Sequence, residues 1–520
     1  MFYLILLSIA AVGVAAAMVQ MRSHPKGLYV LFFTEMWERF SYYGMRALLI
    51  FYLTKHFLFT TDAAYGIYGA YTTLVYILPV IGGAIADRYL GLRKSVLVGA
   101  ILLVAGHGLM AFEGAPVEAG NSPNPVILNI FFLALTLIVM GVGFLKANIS
   151  ALVGELYEKT DKRRDQAFTL YYVGINLGSF GGALLAGYLG ETFGWRYGFG
   201  LAGIGMLAGL VVFIRGKALL NGAGEPRDPK ALAEAVVGGI TRERLIYIGA
   251  AIITLLVWLM IRDQGTVGLV LYAASAITLR HILFKSVFTL EPEQRDRIFA
   301  ALILISVQVL FWALFEQAGS SLNIYADEQV DRTIFGQEVV ASVFQSLNAM
   351  YIVLLGPLFA ALWAFLARRG MDLSAPDKFG LGIIQLGLGF LVLVWGDMAN
   401  AGLTPVVFIF LIYLLHTTGE LCLSPVGLSA MTRLSVPSMV GLVMGTWFLA
   451  TAFGNFVAAQ IAQATAAPGA SVTDVYSNVG WLAVGVGIAM IVLSPFITRM
   501  MHLDTLKNNE KTEALEDAQA

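Results

Sequence analysis

The stretch TEMWERFSYYGMRALL, Thr34 to Leu49, sets Glu35, Glu38, Arg39 and Arg46 inside an apolar run that extends from Gly27 to Phe59. Steps of three, four and seven return to one face of a helix, so positions 35, 38, 39, 42 and 46 share a narrow stripe. Carboxylates and guanidiniums at membrane depth can exchange protons or hold a charged substrate. They are too costly to face lipid, so they face one another or a water-filled cavity. A purely architectural ion-pair network is the plainer reading, but an apolar seam would join helices at lower cost.

Lys146 in GVGFLKANIS, Glu316 in FWALFEQAGS and Glu420 in HTTGELCLSP add to this set from other apolar helical runs. Four carboxylates (Glu35, Glu38, Glu316, Glu420) then stand against three cations (Arg39, Arg46, Lys146). The surplus negative charge in a low dielectric predicts a carboxylate that takes up a proton during a cycle. Arg39 and Lys146 suit a carboxylate, as a fork and as a point charge, and Glu420 suits an ammonium. A cavity with both poles, the aromatics Tyr42, Tyr43, Tyr76, Trp312 and Trp447, and the Asn348 amide fits a short zwitterion with variable side chains. Each aromatic alone reads better as a packing residue, and Asn176 reads equally as a helix-to-helix hydrogen bond. His107, alone in an apolar helix, reads as structural.

The elements that must hold these groups are transmembrane helices. The chain of 520 residues is 58% hydrophobic and 13% charged, with mean hydropathy +0.77, values of a polytopic all-α membrane protein. A net charge of −1 without a basic patch gives no sign of a nucleic-acid partner. The single cysteine, Cys422, excludes an internal disulfide and a multi-cysteine metal site, and reads as a small buried hydrophobe. No metal or cofactor is expected beyond protons as the coupling ion. With no nucleophile–base pair or ligand cluster, an enzyme is not expected.

Residues 1–23 read as an extra N-terminal transmembrane helix, because an apolar run is followed, not preceded, by Arg22 and Lys26. Residues 24–216 hold spans at about 27–58, 63–86, 94–113, 126–153, 166–190 and 195–214. The polar segment 217–241 reads as a cytoplasmic linker, and 242–290 as an inserted transmembrane hairpin turning at Arg262–Gly265. Residues 291–500 hold six more spans, at about 298–325, 337–367, 378–397, 403–430, 438–465 and 476–499. The remainder, 501–520, is a polar tail. Arg88, Arg93, Lys94, Lys159, Lys162, Arg163, Arg164, Arg368, Arg369 and Lys378 fall in loops of one side, which places the C-terminus in the cytoplasm of a bacterial inner membrane. Two six-helix bundles around an insert are the layout of a major-facilitator fold. GGAIADRYLGLRK agrees: Gly82, Asp87, Arg88, Gly91, Arg93 and Lys94 match the G-x-x-x-D-R-x-x-G-[RK] signature between the second and third core helices. Asp87 and the bases there are expected to pair at a helix end and latch that side.

The run Glu35 to Gly44, EMWERFSYYG, resembles the ExxERFxYYG signature of the proton-dependent oligopeptide transporters (the POT or PTR2 family). LYYVGINLGSF, FWALFEQAGS, QSLNAMY and GELCLSPVGLSAMTRL are similar to further motifs of that family, over about residues 24–500. The resemblance implies proton-coupled uptake of di- and tripeptides by alternating access, in a monomer. It implies that Glu35, Glu38, Arg39 and Glu316 couple protons, and that Arg39 and Lys146 hold the peptide carboxylate. Asn348 and Glu420 would hold its amino end, with Tyr42, Tyr43, Tyr76, Asn176, Trp312, Ser424 and Trp447 lining pockets. Arg46 with Glu316 would form an outer-side gate and Lys146 with Glu420 an inner-side one. Ala147 and Gly69 depart from the Pro and the animal His of the family, which leaves proton handling to carboxylates. A relative moving nitrate, an amino-acid conjugate or a drug is the alternative, and the ExxER stripe disfavours an anion.

Overall fold

The computed structural model describes residues 1–158, 161, 163–436 and 438–504; Lys159, Lys162 and most of the expected tail lie outside them. Among the described residues, fourteen helices are long and apolar enough to cross a membrane. The helix Lys26–Phe51 joins them despite its charges, because its length and burial match theirs. In chain order the long helices are α1 (Phe2–Gln20), α2 (Lys26–Phe51), α3 (Thr61–Ile85), α4 (Leu92–Met110), α5 (Pro125–Glu155), α6 (Arg163–Phe193) and α7 (Trp195–Arg215). A connector leads to the hairpin α8 (Arg242–Met260) and α9 (Gln264–Thr289). The second half holds α10 (Pro292–Phe315), α11 (Ser346–Arg368), α12 (Ala375–Met398), α13 (Val407–Leu434), α14 (Val440–Thr465) and α15 (Val472–Met500).

The helix starts follow local chemistry. Thr60 and Asn124 cap α3 and α5 with their side chains, Pro125 and Pro292 occupy first-turn positions, and Ser374 with Asp377 forms a capping box on α12. Two spans differ from the expected 298–325 and 337–367. The former is broken: α10 stops at Phe315, a 3-10 turn covers Glu316–Gly319, and a short helix resumes at Ser321–Glu328. The latter starts late, since Phe335 and Gly336 at φ 50 and 74 turn a small hairpin (Thr333–Ile334 with Gln337–Glu338) before a 3-10 turn at Ala341–Gln345. The 217–241 linker is also more ordered than a loop, with a short helix Pro229–Ala233 and a hairpin pairing Ala235–Val237 with Ile240–Thr241.

The halves pack alike. In the first, α2 lies on α6 and α7, α4 on α5 and α7, and α3 on α5; in the second, α10 lies on α14, α12 on α13 and α15, and α11 on α13. Two seams join them, α3 against α14 and α6 against α11. The accessory helices sit beside these seams. α9 packs on α3 and α14, while α1 packs on α6 and brings Phe2 within 6.3 Å (ring centroids) of Phe410 on α13.

Cross-bundle bonds gather at the end of the molecule that carries Lys55. There Lys55 pairs with Asp327 at 2.6 Å, Asn323 and Gln345 donate to the Ala47 carbonyl, and the Ser342 N–H donates to Glu191. At the end that carries Arg93, no hydrogen bond or ion pair among the described residues links the two bundles directly. Polar links thus tie the bundles at the Lys55 end, and among the described residues none ties them at the Arg93 end.

Candidate substrate and coupling site

α2 delivers its charged stripe because small residues let α6 press on it. A Cβ at Gly178 would stand 2.1 Å from the Met36 carbonyl oxygen and one at Gly182 would stand 2.2 Å from that of Phe40, so backbone meets backbone. This contact fixes Glu35, Glu38 and Arg39 on the inner side of α2, all 5% exposed or less. Arg39 Nε donates to Glu35 Oε1 at 2.7 Å and lies 2.9 Å from Glu38 Oε2. One guanidinium thus serves two carboxylates. Glu35 Oε2 and both Glu38 oxygens have no hydrogen-bond partner, a costly state for buried anions.

Two helical turns beyond Arg39, Arg46 Nε donates to the Tyr68 hydroxyl of α3 at 2.7 Å, and Arg46 Nη2 pairs with Glu316 of the other half. The break after α10 makes this possible. Gly319 lies so close that a Cβ there would meet the Tyr68 hydroxyl at 1.8 Å and Arg46 Nη2 at 2.9 Å, and the 3-10 turn presents Glu316 to the seam. The pair is buried and spans the bundles, so removing one partner would leave an uncompensated charge, a loss of about 3–5 kcal/mol.

Lys146 of α5 lies with Nζ 3.9 Å from the Tyr76 ring centroid, a cation–π contact. In the second half, Asn348 Nδ2 donates to Glu420 Oε2 at 3.0 Å and to Thr417 Oγ1 at 3.1 Å, so that α11 holds the Glu420 carboxylate in place. Ser424 Oγ and Trp312 Nε1 are buried polar atoms with no partner. Trp447 packs over Gly427, where a Cβ would stand 2.1 Å from the indole. Tyr43, Tyr76, Lys146, Trp312, Asn348, Glu420 and Ser424 are each half-buried, whereas Tyr42, Asn176 and Trp447 are buried. Polar groups within transmembrane helices belong on the bundle interior or on water, not on lipid.

Some expected contacts are absent or different. Lys146 and Glu420 form no ion pair in this conformation; Lys146 lies over the Tyr76 ring and Glu420 is held by Asn348. Asn176 Nδ2 donates to the Tyr172 carbonyl of its own helix at 2.9 Å, so its amide bridges no pair of helices. Asp87 does not latch the helix end. It is exposed on a wide turn, Ala86–Leu90, and has no ion pair among the described residues. The bases beside it turn to the connector and the hairpin instead: Arg93 pairs with Glu225 of the connector, and Lys94 with Glu243 of α8 at 2.7 Å. Gly91 at φ 78 and Gly82, where a Cβ would meet the Gly143 carbonyl oxygen at 2.0 Å, shape that turn. His107 and Cys422 are buried as read, at 0% and 3% exposure. Sequence reading missed Tyr68 and Thr417. The tyrosines at 65, 68 and 71 of α3, three apart, and the position of Thr417 one turn before Glu420, are the signals that point to them.

Comparison with known proteins agrees with this arrangement. The profile of the POT family matches residues 93–482. A Bacillus subtilis protein described as an uncharacterized transporter, YclF, is 37% identical over 92% of this chain and 95% of its own length. Dipeptide and tripeptide permease B of Salmonella typhimurium is 33% identical over 92% of this chain and 96% of its own. A crystal structure of a peptide transporter POT in complex with alafosfalin superposes with TM-score 0.80 at 34% identity, covering 92% of this chain and 96% of that one. A POT family transporter in complex with 5-aminolevulinic acid gives TM-score 0.79 at 28% identity, with 92% and 98% covered. This chain therefore belongs to the POT family.

Proposed function

We propose that this protein is a proton-coupled symporter that imports di- and tripeptides by alternating access. The observation that carries the reading is the division of the buried charges. One guanidinium shared by Glu35 and Glu38 leaves room for a proton, while the neighbouring Arg46–Glu316 pair ties the halves together at the Lys55 end. With the Arg93 end in the cytoplasm, as the loop charges favour, the conformation is open inward and the Lys55 end is the closed outer gate. Proton uptake by Glu316 would release Arg46 and let that end part, and Lys146 would then meet Glu420 as the opposite end closes. A peptide carboxylate would sit at Arg39 and Lys146 and its ammonium at Glu420 with Asn348, the side chains lying among Tyr43, Tyr76, Trp312 and Trp447. We take the monomer as the transport unit, although a solved relative at 26% identity is described as tetrameric.

Uptake of labelled dialanine into proteoliposomes under an imposed inward proton gradient tests the reading. Glu35→Gln and Glu38→Gln are expected to abolish gradient-driven accumulation while sparing exchange of peptide for peptide. Undiminished accumulation in both variants would remove these carboxylates from coupling. The relative bound to 5-aminolevulinic acid favours a second reading, a short non-peptide amino acid as substrate. Competition between that compound and dialanine for the same uptake decides which is preferred.

A further inference from the structure

Between the end of α1 and the start of α2 lies a cavity of about 460 Å³, lined by Arg22, His24, Lys26, Tyr29 and Leu219. No carboxylate lines it. Some bases elsewhere at this end have acidic partners: Arg93 pairs with Glu225, Lys94 with Glu243, Arg163 with Asp161 and Lys378 with Asp372. Arg22 and Lys26 form no ion pair among the described residues, and both are exposed. His24 is 8% exposed and its Nδ1 lies 2.9 Å from the Tyr157 hydroxyl, leaving the other ring nitrogen without a protein partner. Burial, helped by the nearby Arg163, lowers the affinity of His24 for a proton, so the positive charge of the cavity is that of Arg22 and Lys26. α2 starts here behind Pro25 with no side-chain cap, and its first-turn N–H groups add their partial positive charge. The apolar run of α1 ends at Gln20, and the charges begin immediately after it.

We propose that this cavity binds a negatively charged phosphate group, presented by an anionic lipid headgroup of that leaflet or as free phosphate. Two bases, a neutral imidazole, a tyrosine at the rim and open helix N–H groups supply donors without a competing carboxylate. A basic pocket between helices at the membrane surface is the setting in which such headgroups are held. The bound group would fasten the accessory helix α1 to the first core helix.

The test uses the purified full-length protein, with phosphatidylglycerol, phosphatidylcholine and inorganic phosphate as separate probes and retained molecules read by native mass spectrometry. Phosphatidylglycerol is expected to be retained in preference to phosphatidylcholine. Arg22→Gln with Lys26→Gln should weaken that retention about thirtyfold, the effect of two bases at such a surface. Arg368→Gln with Arg369→Gln removes equal charge from the same end of the other bundle and should leave retention unchanged. Leu219→Trp fills the cavity at an exposed position and keeps the charges, so it should also displace the lipid. It serves if the double variant does not fold. Retention of inorganic phosphate that depends on the same residues, without preference for phosphatidylglycerol, would assign the site to soluble phosphate. Equal losses in the two double variants, or retention untouched by Leu219→Trp, would overturn the proposal.

Discussion

The two ends of the molecule are built from the same kinds of helices yet differ in how the halves meet. At the Lys55 end a buried pair, Arg46–Glu316, lies beneath a layer of backbone acceptors and an outer ion pair, Lys55–Asp327. At the Arg93 end the charges turn outward or toward the connector and hairpin, and among the described residues no ion pair crosses between the bundles. A buried charge is costly to strand, while an exposed one is nearly free. The closed end is thus held by a contact that a single proton can cancel, and the open end by none. The difference teaches where a switch can sit: on a desolvated pair, not among surface bridges.

The comparison is most sharply broken at the buried pair. Arg46→Ala should strand Glu316, cost the closed end about 3–5 kcal/mol, and reduce peptide uptake to background. Glu316→Gln imitates protonation and keeps a hydrogen-bond partner. A cysteine replacing Asn323, in a Cys422→Ser background, should then be labelled several-fold faster by a membrane-impermeant thiol reagent. Labelling that does not change would mean that the pair does not hold the end shut. Gly319→Ala forces a methyl group against the Tyr68 hydroxyl, and overpacking of this kind costs about 1–3 kcal/mol. Uptake should fall about tenfold, with Tyr68→Phe in combination restoring part of it. The smallest effect belongs to Lys55→Ala. Its side chain is 42% exposed, and such pairs contribute about 0–1 kcal/mol, so uptake should stay within about twofold of the parent. Equal damage from Lys55→Ala and Arg46→Ala would erase the distinction between the layers.

Much of this was legible in the residues. Charges on one stripe of an apolar segment have few physical solutions, so the inward stripe of α2 and the partnership of its groups followed from spacing alone. The cross-bundle pair Arg46–Glu316 was implied by the family resemblance and is present, whereas the guanidinium shared by Glu35 and Glu38 and the separation of Lys146 from Glu420 were not legible. They depend on where each side chain reaches, and spacing along one helix carries no such information. The break at Glu316 was hidden because no proline marks it; close packing of Gly319 on Tyr68 accompanies the break there. Asp87 was misjudged for a related reason. The carboxylates that meet Arg93 and Lys94 come from the connector and the hairpin, and the motif says nothing about either. Tyr68 passed unnoticed since an aromatic ring in a membrane helix is ordinarily a packing residue, and only its hydroxyl on Arg46 distinguishes it.

α1 rests its middle on α6, where Gly13 admits Leu177, yet its first ring touches Phe410 of the opposite half. If the closed end parts, that edge-to-face contact between Phe2 and Phe410 has to separate. Aromatic contacts of this kind are worth about 0.5–1.5 kcal/mol, enough to slow a conformational step about two- to tenfold. This accessory helix would then act as a brake on turnover, and Phe2→Ala should make the transporter faster.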